Sequence, residues 1–184
     1  EESRPPRPLA PSGPDQDNVP YPPPVPGEVD AARRGTLLHL LFERLPGVAP
    51  DQRMAAAEKW LEVSGGVGEA ALRASYAATV CEIIQHADFK EVFSENALAE
   101  APIAAVLEDG RVIAGTVDRL LVEDSRVRVI DFKTGAFVPE SAADVPTAHR
   151  NQMAAYAEAL QVIFPGRTVE AALLYTSGPK MIAL

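Results

Sequence analysis

The chain has 184 residues, 47% of them hydrophobic and 23% charged, which is ordinary globular composition and enough apolar surface for one buried core. A net charge of −9 argues against a broad basic surface for nucleic acid, and no run approaches the 18 apolar residues that a membrane span needs. A single cysteine, Cys81, excludes internal disulfides and a four-cysteine iron–sulfur cluster or zinc knuckle within the chain, so any metal is held by oxygen and imidazole. The first residues, Glu1-Glu2-Ser3-Arg4-Pro5, carry no apolar signal core, and the cytoplasm is the expected location.

Residues 1–28 read as a proline-rich linker or arm. Ten of the seventeen prolines fall in residues 1–27 with almost no large apolar side chain, too little to offset the cost of ordering. A start without methionine fits a fragment of a longer protein, although tag removal gives the same start. Residues 29–184 then read as one domain. From Val29 the pattern is helical: Leu37, Leu38, Leu40, Leu41, Phe42 and Leu45 form an apolar face stopped by Pro46-Gly47. His39 and Glu43, spaced i, i+4, project from one side of this helix, with Gly35 one turn earlier. On spacing alone, a histidine among leucines is more often a satisfied core residue than a ligand.

A second helix is expected from Pro50-Asp51 to about Val63, ended by Ser64-Gly65-Gly66. A third is expected over 67–87, with Leu72, Tyr76, Val80, Ile83 and Ile84 on its apolar stripe and an inert Cys81 beside it. Residues 89–93 read as a short helical turn. Glu100 then opens a sheet: a strand over 101–107, an Asp109-Gly110 turn, a strand over 112–122, turn residues 123–125, and a strand from 126 that reaches Asp131 and Lys133. A loop over 134–146 leads to a helix over 148–163, and a buried strand over 169–176 follows Pro165-Gly166. A meander, a crossover helix and another strand make an α+β domain, a central mixed sheet flanked by helices.

Alternation places Asp131 and Lys133 on one face of their strand and Phe132 on the other, and the hairpin brings Asp118 to the same end. Two carboxylates and an ammonium on one face cost desolvation unless a divalent cation binds or water has access, so a metal-dependent site is the economical expectation. Asp118 and Asp131 suit Mg²⁺ or Mn²⁺.

The ordered set Gly35-x-x-x-His39-x-x-x-Glu43, Glu100, Gly115-x-x-Asp118-Arg119-Leu120, Asp131-x-Lys133-Thr134-Gly135 and Gln152-x-x-x-Tyr156 closely resembles the RecB-family nuclease domain of the PD-(D/E)xK superfamily, over residues 33 to 176. The resemblance implies a restriction-endonuclease-like α/β/α fold and a divalent-metal phosphodiesterase site. It implies that His39, Asp118, Asp131 and the Phe132 carbonyl hold the metal. Lys133 is then the catalytic lysine, with Glu100, Asp118 and Asp131 at the active site and Gln152 and Tyr156 closing it on the helical side. Many relatives carry four cysteines for an iron–sulfur cluster; a single cysteine points away from the Cas4 and AddB branches and toward the C-terminal nuclease domain of AddA, the helicase–nuclease subunit of a bacterial recombination complex. That branch implies single-stranded DNA delivered by a covalently linked helicase, an AddB-like partner subunit, and a proline-rich tether. Arg33, Arg34, Arg119, Arg126, Arg128 and Arg150 are the phosphate-binding candidates, or simply surface charge. The competing function is a non-catalytic scaffold of the same fold, against which stand the retained carboxylates and lysine.

Overall fold

A computed structural model describes residues 26–184, with side chains from Asp30 onward; the expected arm, apart from its last three residues, lies outside the described residues. Helix α1, Pro26–Arg44, opens on a proline whose missing N–H costs nothing in a first turn, and it buries Leu37, Leu38, Leu41 and Phe42. Helices α2, Arg53–Val63, and α3, Ala70–Gln85, are separated by Gly65-Gly66, where Gly66 takes a positive φ of 64°. Strands β1 (Ala97–Val106), β2 (Val112–Val122) and β3 (Arg126–Lys133) form the expected meander. Helix α4, Thr147–Ile163, crosses over to β4, Thr168–Tyr175, and a short β5, Lys180–Ala183, closes the edge. The sheet order is β1-β2-β3-β4-β5, antiparallel throughout except for the parallel β3–β4 pair joined by α4.

Two cores lie on opposite faces of this sheet. Leu38, Leu41, Phe42, Leu61, Val80 and Ile83 pack with Ile130, Phe132 and Leu174 on the α1–α3 side. Ile113, Val117, Val129 and Leu173 meet Met153, Tyr156 and Leu160 of α4 on the other. The result is the expected three-layer α+β arrangement. Among the described residues no helix is long and apolar enough to cross a membrane.

Several expectations are revised. β1 starts at Ala97, so Glu100 lies inside the strand instead of opening it. Leu72 leaves the α3 stripe and lines an open cleft with Arg34 and Tyr76. The helical turn expected over 89–93 is a 3-10 turn at Ala87–Phe89, and Phe89, Val92 and Phe93 are buried beyond it. β5 has only four residues, too few for periodicity to register, and exists through its pairing with β4.

Arg119, a candidate for the phosphate or a surface ion pair, is instead 3% exposed. Its guanidinium donates to the Phe42 carbonyl, reaches the Ala97 carbonyl at 3.5 Å and stands 5.3 Å from the Phe93 ring. The Phe42 carbonyl lies in the last turn of α1, where the residue four further on, Pro46, has no N–H to offer it, so Arg119 caps the helix and complements its dipole. Arg119→Met should leave that carbonyl without a charged donor and cost about 2 kcal/mol. A thermal melt should fall by about 4–8 °C; an unchanged melt would rule the cap out as a stabilising contact.

Candidate metal centre

The site grows from one row of the sheet. The β1–β2 register, with Ala99 opposite Arg119 and Ala101 opposite Val117, sets Glu100 across from Asp118. Two carboxylates directly opposite each other repel. Glu100 is also the one non-glycine among the described residues with a positive φ, 46°, a left-handed conformation that costs energy in a strand. At this row the strands roll over. Ala97 and Leu121 face the α1–α3 core, yet Ala101 and Val117, of the same parity, face α4. β2 pairs with β3 only from Arg119 to Val122, so beyond Arg119 the two strands separate at the end that carries Asp131.

Asp118 fills that opening. One of its oxygens accepts the Phe132 amide, and Oδ1 lies 3.1 Å from His39 Nδ1 of α1. The His39 ring sits 5.8 Å from Phe132, itself packed on Phe42 and Phe93. Gly35 permits this approach of α1, since a Cβ there would come within 2.7 Å of Thr134 Oγ1. His39, Glu100 and Asp118 each present one ligand atom, all within 4.8 Å of one another. They line a cleft of about 520 Å³ with Gly35, Glu43 and Thr134. Glu43 is committed to Arg44.

The second half of the site faces α4. Lys133 Nζ lies 2.7 Å from Asp131 Oδ2 and donates to Gln152 Oε1 at 2.7 Å, while Gln152 Nε2 donates to Asp131 Oδ1 at 3.3 Å. Asp131 Oδ2 is shielded from water and has an ion-pair partner but no aligned hydrogen bond. Tyr156 is fully buried, and its hydroxyl donates to the Thr116 carbonyl at 3.1 Å, tying α4 to β2 two residues from Asp118. Gln152 and Tyr156 are therefore not an exposed helix edge.

Asp118 thus turns to His39 and Glu100, whereas Asp131 and Lys133 share the face toward Gln152. The ligand atoms of His39, Glu100 and Asp118 converge, and Asp131 stands close enough for its charge to act on His39 and for the charge of Asp118 to act on it.

The electrostatics follow. Burial, then the charge of Asp118, pushes the Asp131 carboxyl up to about 6, outweighing Lys133 and His39. Partial desolvation and Asp118 lift Glu100 above the ordinary carboxylate value although much of its surface is exposed. Burial pulls His39 down, but its hydrogen bond to Asp118 and the surrounding carboxylates leave it raised. His149, one turn before Gln152, escaped the sequence reading although its i, i+3 spacing places it on the same helix face; burial and the Lys133 charge hold it below its usual value.

Of the remaining phosphate candidates, Arg33 donates to the Gly65 and Gly66 carbonyls and Arg34 to the Thr134 carbonyl. Arg126 and Arg128 pair with Glu123, Arg128 also with Glu91, and Arg150 holds the Ala143 carbonyl.

The donor set fits a hard divalent cation that tolerates nitrogen: two carboxylates forced together and one imidazole, on an open cleft. The family model described as the PD-(D/E)XK nuclease superfamily matches residues 16–181. No curated protein matches the chain. A solved structure titled "Crystal structure of SSO0001" aligns with 81% of this chain and 75% of its own at 15% identity and a TM-score of 0.34.

Proposed function

The chain belongs to the PD-(D/E)XK nuclease superfamily, and we propose that it is the nuclease domain of a bacterial, cytoplasmic helicase–nuclease of the AddA type, hydrolysing single-stranded DNA with Mg²⁺ or Mn²⁺ during recombinational repair of double-strand breaks. The observation that carries the reading is the juxtaposition, at the row where the sheet rolls over, of the His39–Glu100–Asp118 cluster with the Asp131–Lys133–Gln152 trio.

When bound by His39, Glu100 and Asp118, the cation would neutralise charge on the scissile phosphate and acidify a water. The chain's own residues do the rest. Lys133 is ion-paired with Asp131 and donates to Gln152, and its three-donor ammonium keeps N–H capacity for the attacking water or a non-bridging phosphate oxygen. Its charge stabilises the negative charge that develops in the transition state, and because the ammonium is fixed in advance no reorganisation is needed at that moment. Gln152 keeps its carbonyl toward Lys133 and its amide toward Asp131, which fixes the ammonium's direction.

A net charge of −9 and arginines already committed within the fold favour delivery by a linked helicase and an AddB-like partner over capture by the domain's own field. The proline-rich segment would serve as the tether.

Incubation of end-labelled single-stranded DNA with the chain tests the function. Cleavage should require added Mn²⁺ or Mg²⁺, stop with chelator and resume on re-addition; cleavage indifferent to chelator would contradict the reading. Calorimetric titration should show Mn²⁺ binding about tenfold or more weaker in Asp118→Asn, through loss of one ligand and of the orientation it gives His39. Equal affinity in the two proteins would move the cation elsewhere.

A further inference from the structure

Every arginine among the described residues already donates to a carbonyl, carboxylate or hydroxyl of the chain. With a net charge of −9 as well, the chain's own field opposes a polyanion, and a contact that does not depend on charge would help to hold a substrate strand.

One side chain within reach of the site offers such a contact. Phe137 is 60% exposed, in the loop between β3 and α4, four residues beyond Lys133. Four residues of chain reach at most about 14 Å, so the ring stays within a few nucleotides of the lysine. The loop is braced on both sides of it. Ser177 Oγ donates to the Gly135 carbonyl at 2.8 Å, and Lys180 Nζ donates to the Pro139 and Glu140 carbonyls at 3.1 and 2.6 Å. Val138 packs on the α4-side core and Pro139 is buried, so the backbone around the ring is held down while the ring itself belongs to neither core. An aromatic ring left to water on a mobile loop would need no explanation. A ring displayed on an anchored crest is preorganised, and a ligand stacking on it pays little to order the loop.

We propose that Phe137 is a stacking platform for an unpaired nucleobase of the substrate strand, and that it selects single strands over duplex. The proposal rests on the nuclease reading above and specifies how the substrate is held. Only a single strand exposes a base face to the ring, and every base has one, so the platform is tolerant of sequence and nearly insensitive to salt.

The test measures binding of a fluorescent oligothymidylate, and of a blunt duplex of the same length, to the full chain in chelator. Cleavage of the single strand in Mn²⁺ is followed on the same preparations. Phe137→Ala and Phe137→Leu should each weaken single-strand binding about tenfold, and Phe137→Tyr should restore it, because leucine keeps apolar bulk but not a flat π-face. Duplex affinity should not move, and KM should rise with kcat preserved. Unchanged single-strand binding in Phe137→Ala, equal losses for duplex and single strand, or no measurable binding by the wild-type chain would each overturn the proposal. Wild-type cutting that ignores Phe137→Ala would remove the platform and keep the nuclease; Phe137-dependent binding without any cutting would do the reverse.

Discussion

Asp131→Asn is expected to lower the cleavage rate about as severely as loss of Lys133 and, in the same protein, to raise the metal-free melting temperature at pH 8. The Asp131 carboxyl is 6% exposed and titrates at about 6 in the folded chain against an ordinary 3.8. A lysine at 2.7 Å would normally lower a carboxyl pKa, but here burial and the neighbouring Asp118 charge win. Because the folded state binds this proton more tightly than the unfolded state, the protonated carboxyl stabilises the fold. That contribution is fully present below about pH 3.8 and is lost as pH rises through about 6. Asparagine keeps the shape and the contact with Gln152 without the charge, at the expense of the Lys133 pair, and the net gain is positive above pH 6. Melts of both proteins from pH 4 to pH 8 should diverge with rising pH, the variant standing several degrees higher at pH 8, and Mn²⁺ should raise both proteins, since His39, Glu100 and Asp118 are present in each. A variant less stable than wild type at pH 8 would show that the Lys133 pair outweighs the desolvation.

Lys133→Ala should lower the cleavage rate by about a hundredfold or more, the loss expected when one preorganised electrostatic group is removed. It should leave Mn²⁺ affinity nearly intact, because His39, Glu100 and Asp118 converge without it. The same substitution removes the ion-pair partner that Asp131 has among the described residues; without that charge the carboxyl rises further, and the melt should drop at alkaline pH, where Asp131 ionises unpaired. A double variant separates the two effects. Lys133→Ala/Asp131→Asn should regain the lost stability, since neither charge is left without the other, and should stay inactive. If the double variant recovered cleavage along with stability, Lys133 would be a structural partner of Asp131 and not a catalytic group.

Regular elements were legible where one physical signal dominated. Residues 112–122 read as a strand because both ends are apolar, and β2 has those bounds. Alternation set Phe132 on the face opposite Asp131 and Lys133, and Phe132 is in the α1–α3 core while the other two meet Gln152. Glu100 was misread as the start of a strand because a charged residue between alanines looks like a boundary; its left-handed backbone makes it a turning point inside the strand. That same rollover lies outside what alternation can reveal, since period-2 reasoning assumes an unbroken pleat. Arg119 beside Asp118 resembled a surface ion pair, and nothing local reveals that the end of α1 needs a donor there. The convergence of His39 with Glu100, sixty-one residues apart, followed from family resemblance and not from any local pattern.

The division of labour between the two halves of the site is tested most directly by the initial rate of single-strand cleavage as a function of Mn²⁺ concentration, in wild type, Glu100→Gln and Lys133→Ala. Wild type should show a saturable metal dependence. Glu100→Gln should require about tenfold or more Mn²⁺ for half-maximal rate and approach the wild-type rate at saturation. Lys133→Ala should keep the wild-type half-saturation point with a maximal rate about a hundredfold lower. A wild-type chain with no metal-dependent cleavage, or a lysine variant that shifts the half-saturation point while keeping its maximal rate, would contradict the account.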